Sequence, residues 1–196
     1  SSLAGYLTLL EKWNRNIRLT GVRGSMEIAT RLLPGTLDFL KIWKPSKGDT
    51  VLDVGAGSGI VGIPMGILFR AIHVCMVESN DRKAAFLGEA TRCCGGTNLA
   101  VICGRAESLS GKMKDNTENY SVILARAVAP LGDLLPMVWP LLAQNGALLV
   151  RQGKKGESEL RGAETALASH RAIITMRREV EGGAVVKVER ADKPRL

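Results

Sequence analysis

The chain has 196 residues, of which 45% are apolar and 23% are charged. This length fits one domain of ordinary size with at most a small appendage, and the composition excludes wholesale disorder, collagen and a coiled coil. Its 27 basic residues outnumber 19 acidic ones and give a formal net charge of +8. Such an excess favours a polyanionic partner, with nucleic acid first and an anionic membrane surface second.

The sequence gives no indication of a membrane-spanning segment or a metal site. The most apolar run, residues 59–69, is too short for a bilayer and contains Pro64. The residues after Ser1 lack the basic-then-apolar pattern of a leader, so we expect a cytoplasmic protein. Four cysteines without a C-x-x-C pair and two histidines predict no metal. Cys75 and Cys103 lie in strand-like runs and are expected to be buried.

Residues 1–47 are predicted to form a helical extension. Apolar residues recur on one face of a first helix, at Leu3, Tyr6, Leu7, Leu10 and Trp13. A second apolar stripe begins at Ile28, and the Pro34-Gly35 pair is expected to bend or break that helix. Residues 44–48 have the composition of a linker to the next unit.

From residue 48 to residue 196, strand-like and helix-like periods alternate, which is the pattern of a parallel sheet with helices on both faces. The predicted strands are 50–54, 72–77, 99–103, 120–125 and 147–150. The predicted helices are 60–69, 81–94, 131–142 and 157–169, with a turn at 144–146. Segments 172–180 and 184–189 flank a Glu-Gly-Gly turn and predict an antiparallel hairpin at the end of the chain.

A glycine-rich loop follows the first predicted strand. Residues 53–59 read D-V-G-A-G-S-G, with Gly55, Gly57 and Gly59 at alternate positions. Glycine allows a sharp turn and a close approach of the backbone to a ligand. Ile60 occupies the position where the G-x-G-x-x-G dinucleotide fingerprint requires glycine, and the Walker pattern for triphosphates is also absent. The loop therefore predicts a nucleotide-class ligand that is neither a dinucleotide nor a triphosphate.

An acidic residue, Glu78, ends the second strand 19 residues after Gly59. A carboxylate at about this distance meets ribose hydroxyls in related nucleotide folds, because it accepts hydrogen bonds from both. The loop and this acid resemble the cofactor site of class I S-adenosylmethionine-dependent methyltransferases. The resemblance implies a Rossmann-like fold, with Asp53 either orienting the loop or facing the methionyl ammonium group of the cofactor.

Further motifs resemble one methyltransferase family closely. They are K-W-N-R-N-I-R-L-T at residues 12–20, G-I-V-G-I-P at 59–64, E-S-N-D-R-K at 78–83, G-R-A-E at 104–107 and L-A-R-A at 124–127. Together they resemble the 16S ribosomal RNA guanine-N7 methyltransferases, the family of glucose-inhibited division protein B. The resemblance runs from about residue 6 to residue 154.

The resemblance implies S-adenosylmethionine as cofactor and 16S ribosomal RNA, or the small ribosomal subunit, as partner. It assigns cofactor binding to Asp53, Gly55, Gly57, Gly59, Ile60, Glu78, Ala106, Glu107 and Arg126. Arg126 is also the implied catalytic residue, orienting the cofactor carboxylate or gripping guanine O6. We expect RNA contacts from the basic residues Arg15, Arg18, Arg31, Lys154 and Lys155. A monomer without metal or membrane is expected. The chain departs from the family pattern at Arg18, Leu32, Gly35 and Gln152.

Guanine N7 carries an in-plane lone pair, so its methylation needs no general base. The sequence suits this chemistry, because it lacks the N-P-P-Tyr/Phe motif of amine methylation after the fourth strand. Three alternatives remain at this stage. They are an NAD(P)-dependent oxidoreductase on a similar sheet, a non-catalytic RNA-binding protein with a methyltransferase fold, and a small-molecule methyltransferase.

Overall fold

The computed structural model describes residues 2–109, 119–154 and 156–192. Their centre is one seven-stranded sheet with strand order β3-β2-β1-β4-β5-β7-β6. The strands are β1 (Thr50–Val54), β2 (His73–Glu78), β3 (Leu99–Cys103), β4 (Tyr120–Arg126), β5 (Leu142–Gln152), β6 (Ala172–Val180) and β7 (Gly183–Arg190). The first five strands run parallel, whereas β7 is antiparallel to both β5 and β6. The predicted parallel sheet with a terminal hairpin is confirmed.

Helices cover both faces of this sheet. They are α1 (Ser2–Asn14), α2 (Ser25–Leu37), α3 (Gly62–Leu68), α4 (Asp81–Cys93), α5 (Leu131–Val138), α6 (Gly156–Gly162) and α7 (Glu164–Ser169). Short 3-10 turns lie at Asp38–Lys41, Ala106–Ser108 and Trp139–Leu141.

Alternate residues of the central strands enter two separate cores, because successive side chains of a strand point to opposite faces. Val51 and Leu124 belong to the core under α1 to α4. Their neighbours Leu52 and Ile123 belong to the core under α5 to α7. Both faces being buried explains why these strands are near-continuous apolar runs rather than alternating patterns.

The helical extension shares the first of these cores. Tyr6, Leu10 and Ile28 are fully buried and pack in one cluster with Met65 of α3 and Phe86 of α4. The Tyr6 hydroxyl donates a hydrogen bond of 2.8 Å to the carbonyl oxygen of Ser58 in the glycine loop. Residues 1–47 and the sheet are therefore in direct contact through both apolar packing and a buried hydrogen bond.

The expected bend or break at Pro34 is wrong in its stronger form, since α2 continues through Pro34 to Leu37. Proline removes one hydrogen bond from the last turn. Contacts with the rest of the protein hold this turn in place. The Thr36 hydroxyl donates to the carbonyl oxygen of Ile60 at 2.5 Å, and Gly35 lies against the guanidinium group of Arg126.

The predicted helix 131–142 ends early, and the predicted turn at 144–146 lies inside β5. Pairing with β4 shifts from Tyr120–Leu142 to Val122–Ala147, so β5 accommodates three extra residues there. The Q-N-G segment is thus an irregularity within β5, because the residues before it and the residues after it both pair with β4.

Two smaller expectations also fail. The predicted helix 157–169 is divided at Ala163, whose fully buried side chain packs in the second core. Cys103 is exposed and donates to Asp81 Oδ1 at 3.0 Å, while Cys75 is half-buried. Residue 103 is the last of β3, which is the first strand in the order of the sheet.

Within the described ranges, no helix has both the length and the apolar character needed to cross a bilayer. Histidine, cysteine and carboxylate side chains in those same ranges form no group of three that could hold a metal ion.

Tyr6→Phe should lower the free energy of unfolding by about 1–3 kcal/mol, because it leaves the buried Ser58 carbonyl without its donor. Urea unfolding measures this change. Thr30→Val is the matched control, since it removes an exposed hydroxyl that bonds only to its own helix. Its effect should stay within about 0.5 kcal/mol. An equal loss in both variants would contradict a structural role for the Tyr6–Ser58 bond.

Candidate active site

The glycine loop between β1 and α3 has a backbone that ordinary residues rarely adopt. Gly55, Gly57 and Gly59 have φ angles of 63°, 56° and 70°. In this left-handed region a side chain is strained, whereas glycine is not. A Cβ atom on Gly59 would also lie 2.6 Å from atoms of Ile63 and Leu87. The alternate glycines therefore satisfy both a backbone requirement and a packing requirement.

Asp53 is the second-last residue of β1, and it holds the far end of the loop. Its carboxylate is 2% exposed, and Oδ2 accepts a hydrogen bond of 2.9 Å from the backbone N–H of Gly62 at the start of α3. Burial raises the pKa of Asp53 to about 7, although the Gly62 hydrogen bond and the charge of Arg126 act in the opposite direction. Of the two predicted roles for Asp53, orientation of the loop is the one that its hydrogen bond with Gly62 supports.

Glu78 holds the middle of the loop from the neighbouring strand. It ends β2, is 7% exposed, and its Oε2 accepts a hydrogen bond of 2.9 Å from Gly57 N–H. Its Oε1 accepts a second bond of 2.9 Å from Asn80 N–H. Asn80 in turn caps α4, because its side chain accepts from Lys83 N–H. Each carboxylate oxygen can accept a further hydrogen bond.

A cavity of about 250 Å³ opens beside the loop at the carboxyl ends of β1, β2 and β3. Three of the predicted cofactor residues line it, namely Gly55, Ala106 and Glu107. Val77 and Ser79, the two neighbours of Glu78, line it as well. Ile60, in contrast, is 8% exposed and lies in the first core, with its carbonyl bonded to Thr36.

Arg126 ends β4 and extends towards the helical extension. Its Nη1 donates to the carbonyl oxygen of Leu32 at 3.1 Å, and its Cζ lies 3.0 Å from the place that a Cβ on Gly35 would occupy. Among the described residues, no carboxylate forms a salt bridge with it. Burial and, next, the nearby Arg151 lower the pKa of the Arg126 guanidinium. A half-buried cation thus faces a second cavity, of about 420 Å³.

Three of the five predicted RNA-binding residues lie in different parts of the surface, namely Arg15, Arg18 and Arg31. Arg31 lines the same cavity as Arg126, whereas Arg15 lines a different cleft with Arg23 near the end of α1. Arg18 is exposed on the loop that follows α1.

Lys154 lies beyond β5, in a cleft with Arg177. Lys155 lies outside the described residues. The structure therefore brings only Arg31 and Arg126 together among the predicted basic site residues that it describes.

Sequence analysis missed Asp38 and Arg151, which organise the cavity around Arg126. Asp38 is 7% exposed, and its two oxygens lie 3.2 Å from Arg151 Nε and 3.0 Å from Lys41 Nζ. The sequence did contain a signal for Asp38, because it is a charged residue within the otherwise apolar run 37–40. Val128 was also missed, and its Cγ2 lies 3.2 Å from the Cβ position of Gly55.

Two solved structures with a similar fold are named as a methylase and a methyltransferase. The ribosomal protein L11 methylase of Lactobacillus delbrueckii subsp. bulgaricus matches with a TM-score of 0.61 and 22% identity, covering 84% of this chain and 79% of that one. A SAM-dependent methyltransferase from Aquifex aeolicus matches with a TM-score of 0.65 and 16% identity, covering 93% and 97%. At these identities the likeness establishes the class I methyltransferase fold alone.

Sequence relatives are closer. Ribosomal RNA small subunit methyltransferase G of Desulforamulus reducens is 32% identical over 189 residues, which are 96% of this chain and 74% of that protein. The protein of the same name from Roseiflexus castenholzii is 33% identical over 194 residues, covering 97% and 76%. The family model described as "GidB: rRNA small subunit methyltransferase G" matches residues 1–184. The chain therefore belongs to the rRNA small subunit methyltransferase G family, as its motifs predicted.

Proposed function

We propose that the protein is an S-adenosylmethionine-dependent methyltransferase that methylates N7 of a guanine in 16S ribosomal RNA. The observation that carries this proposal is the glycine loop fixed between Asp53 and Glu78 beside a cavity, in a chain that matches the rRNA small subunit methyltransferase G family over residues 1–184. The substrate is inferred from the family match alone, whereas the cofactor is supported by the family match and by the geometry of the loop and cavity.

The residues around the loop fit S-adenosylmethionine. Gly55 leaves the loop side of the cavity without a side chain, and Ala106 and Glu107 line another side where an adenine edge can be read. Glu78 lies between two residues that line the cavity and keeps acceptor capacity for ribose hydroxyls. A buried carboxylate at Asp53 suits a cation, because it favours a nearby positive charge such as the methionyl ammonium group.

The bound cofactor supplies an electrophilic methyl group on a sulfonium. Because guanine N7 already presents a lone pair, the protein does not need to remove a proton from the nucleophile. Its task is to hold the base in line with the methyl group and to exclude water, which lowers the barrier through orientation. Arg126 can orient either the carboxylate of the cofactor or O6 of the guanine, since arginine pairs readily with both groups.

RNA binding rests on the excess of basic residues. Arg15, Arg18, Arg31, Lys154 and Lys155 would hold phosphates, and Arg31 lines one cavity together with Arg126. We propose that the protein acts as a monomer in the cytoplasm, where small ribosomal subunits assemble.

Incubation with radiolabelled S-adenosylmethionine and small subunits from a strain without the modification should label one guanine of 16S RNA, which mapping would identify. Affinity for the RNA should fall steeply as salt rises, because phosphate contacts release counterions. Cofactor binding without any transfer would favour a non-catalytic RNA-binding protein. A flat salt response with a small labelled product would favour a small-molecule methyltransferase.

Affinity for S-adenosylhomocysteine should rise about tenfold between about pH 6 and about pH 8. The pKa of Asp53 near 7 means that the carboxyl is mostly protonated at the lower pH and must lose this proton to face the ligand's ammonium group. Calorimetry measures both the affinity and the released proton. Asp53→Asn should remove the pH dependence, and Asp133→Asn, at an exposed position of α5, should preserve it. A pH dependence that survives Asp53→Asn would assign it to another group.

Arg126→Ala should lower the turnover number much more than the affinity for RNA, because one contact at the reacting groups is lost while most phosphate contacts remain. Steady-state kinetics with small subunits and a filter-binding assay separate the two quantities. Arg70→Ala serves as the control for charge, because it removes an exposed arginine that precedes the amino end of β2, whereas Arg126 lies at the carboxyl end of β4. Equal losses of turnover and affinity in Arg126→Ala would count against the proposed role.

A further inference from the structure

The cavity of about 420 Å³ beside Arg126 lies where the helical extension, the ends of β4 and β5 and the turn of the hairpin meet. Its volume falls within the roughly 300–1,000 Å³ of typical ligand pockets. The charged residues that line it are Arg31, Asp38, Lys41, Arg126, Arg151 and Glu181. Among the described residues, none lines both this cavity and the proposed cofactor cavity. The two cavities are therefore separate places for a ligand.

Two arginines lie side by side in this cavity. Arg126 and Arg151 are paired positions of the neighbouring parallel strands β4 and β5, so their side chains point to the same face of the sheet. That face is the one that the extension covers, because Leu124 and Leu149, two residues earlier in each strand, belong to the core under α1 to α4. Burial and, next, the charge of Arg151 lower the pKa of Arg126. A ligand with negative charge would relieve the repulsion between the two cations.

Each of the two guanidinium groups is fixed by hydrogen bonds that use few of its donors. Arg151 donates through Nε to Asp38 Oδ2 at 3.2 Å and through Nη2 to the carbonyl oxygen of Glu181 at 2.7 Å. Arg126 donates through Nη1 to the carbonyl oxygen of Leu32 at 3.1 Å. A guanidinium group carries five N–H donors, so within the described residues these bonds leave most donors of both arginines for a ligand. Such a pair suits phosphate, whose oxygens accept two parallel hydrogen bonds from one arginine.

Carboxylates beside the cavity are already engaged with other cations. Asp38 has both oxygens occupied, since Oδ1 lies 3.0 Å from Lys41 Nζ and Oδ2 accepts from Arg151. Glu27 pairs with Arg31 at 2.6 Å, one turn later in α2. Salt bridges within the described residues therefore leave the arginine at the end of β4 uncompensated. Its charge is available to an anion that enters the cavity.

We infer that a phosphodiester group of the RNA substrate binds in this cavity, between the guanidinium groups of Arg126 and Arg151. This inference rests on the proposed function, because it takes the anion from RNA. Each arginine would donate to phosphate oxygens, and Asp38 would hold Arg151 in position. With five N–H donors, Arg126 can contact the phosphate and a reacting group together. One backbone phosphate would thus be fixed beside the residue that is proposed to act in the reaction.

The test uses the full chain and 16S RNA that lacks the modification. Arg151→Met should weaken RNA affinity about 10-fold at low salt, because a charge-assisted contact is lost. The slope of log affinity against log salt should become smaller by about 0.7, the contribution of one phosphate contact on a single strand. Arg70→Met removes the same charge from an exposed position before β2 and should keep the wild-type slope. Affinity for S-adenosylhomocysteine should stay unchanged in both variants.

The double variant Asp38→Asn/Arg151→Met separates a phosphate contact from a structural role. It has the net charge of the wild-type protein, and it no longer leaves a nearly buried carboxylate without its arginine. Its melting temperature should therefore exceed that of Arg151→Met, since removing one partner of such a pair destabilises more than replacing both. Its salt slope should nevertheless stay as small as that of Arg151→Met. Filter binding over a salt series measures the slope.

A double variant that regains the wild-type slope would overturn the inference, because Arg151 would then act only through its ion pair. An unchanged slope in Arg151→Met would overturn it as well, and a concurrent loss of affinity for S-adenosylhomocysteine would assign the cavity to the cofactor carboxylate. Wild-type protein that shows the expected slopes but transfers no methyl group would overturn the proposed reaction and support this site. Wild-type protein that does not bind 16S RNA would overturn both.

Discussion

The site depends on two carboxylates that bind the backbone of one glycine loop. Asp53 and Glu78 lie at or next to the carboxyl ends of adjacent parallel strands, so both carboxylates are near the same end of the sheet. One accepts from Gly62 N–H and the other from Gly57 N–H. Burying carboxylates is costly unless they are hydrogen-bonded, and the loop satisfies this requirement. The same bonds hold three glycines in left-handed conformations and so keep one side of the cavity open.

The helical extension contributes directly to this arrangement. Three buried or half-buried side-chain hydrogen bonds join it to the site: Tyr6 to Ser58, Thr36 to Ile60 and Arg126 to the carbonyl of Leu32. The first two reach the segment between β1 and α3, and the third reaches the end of β4. The positions of the loop and of Arg126 therefore depend on helices that precede the sheet in the chain, even though the loop and Arg126 themselves lie at the ends of strands.

Asp38 explains how several cations can share one cavity. Arg151 and Lys41 both pair with this nearly buried carboxylate, whereas the partner of Arg126 among the described residues is the carbonyl oxygen of Leu32. Arg151 also donates to the carbonyl of Glu181 in the turn of the hairpin. Charge in the cavity thus stays positive around Arg126, and an anionic ligand would meet a cation whose own position is already fixed by hydrogen bonds. Such preorganisation is what an electrostatic contribution to catalysis requires.

The sequence by itself determined the order of the strands and helices along the chain, the glycine loop, its acid and the family. These features are local, because apolar periodicity, glycine spacing and the strand ends can be read within a few residues of each other. Pairing between distant segments was decided only by the tertiary structure. Pairing with β4 turned the Q-N-G segment into part of a strand, and the contacts of Gly35 and Thr36 kept α2 helical beyond Pro34. The partners of Asp38 are likewise a property of packing, which no local pattern encodes.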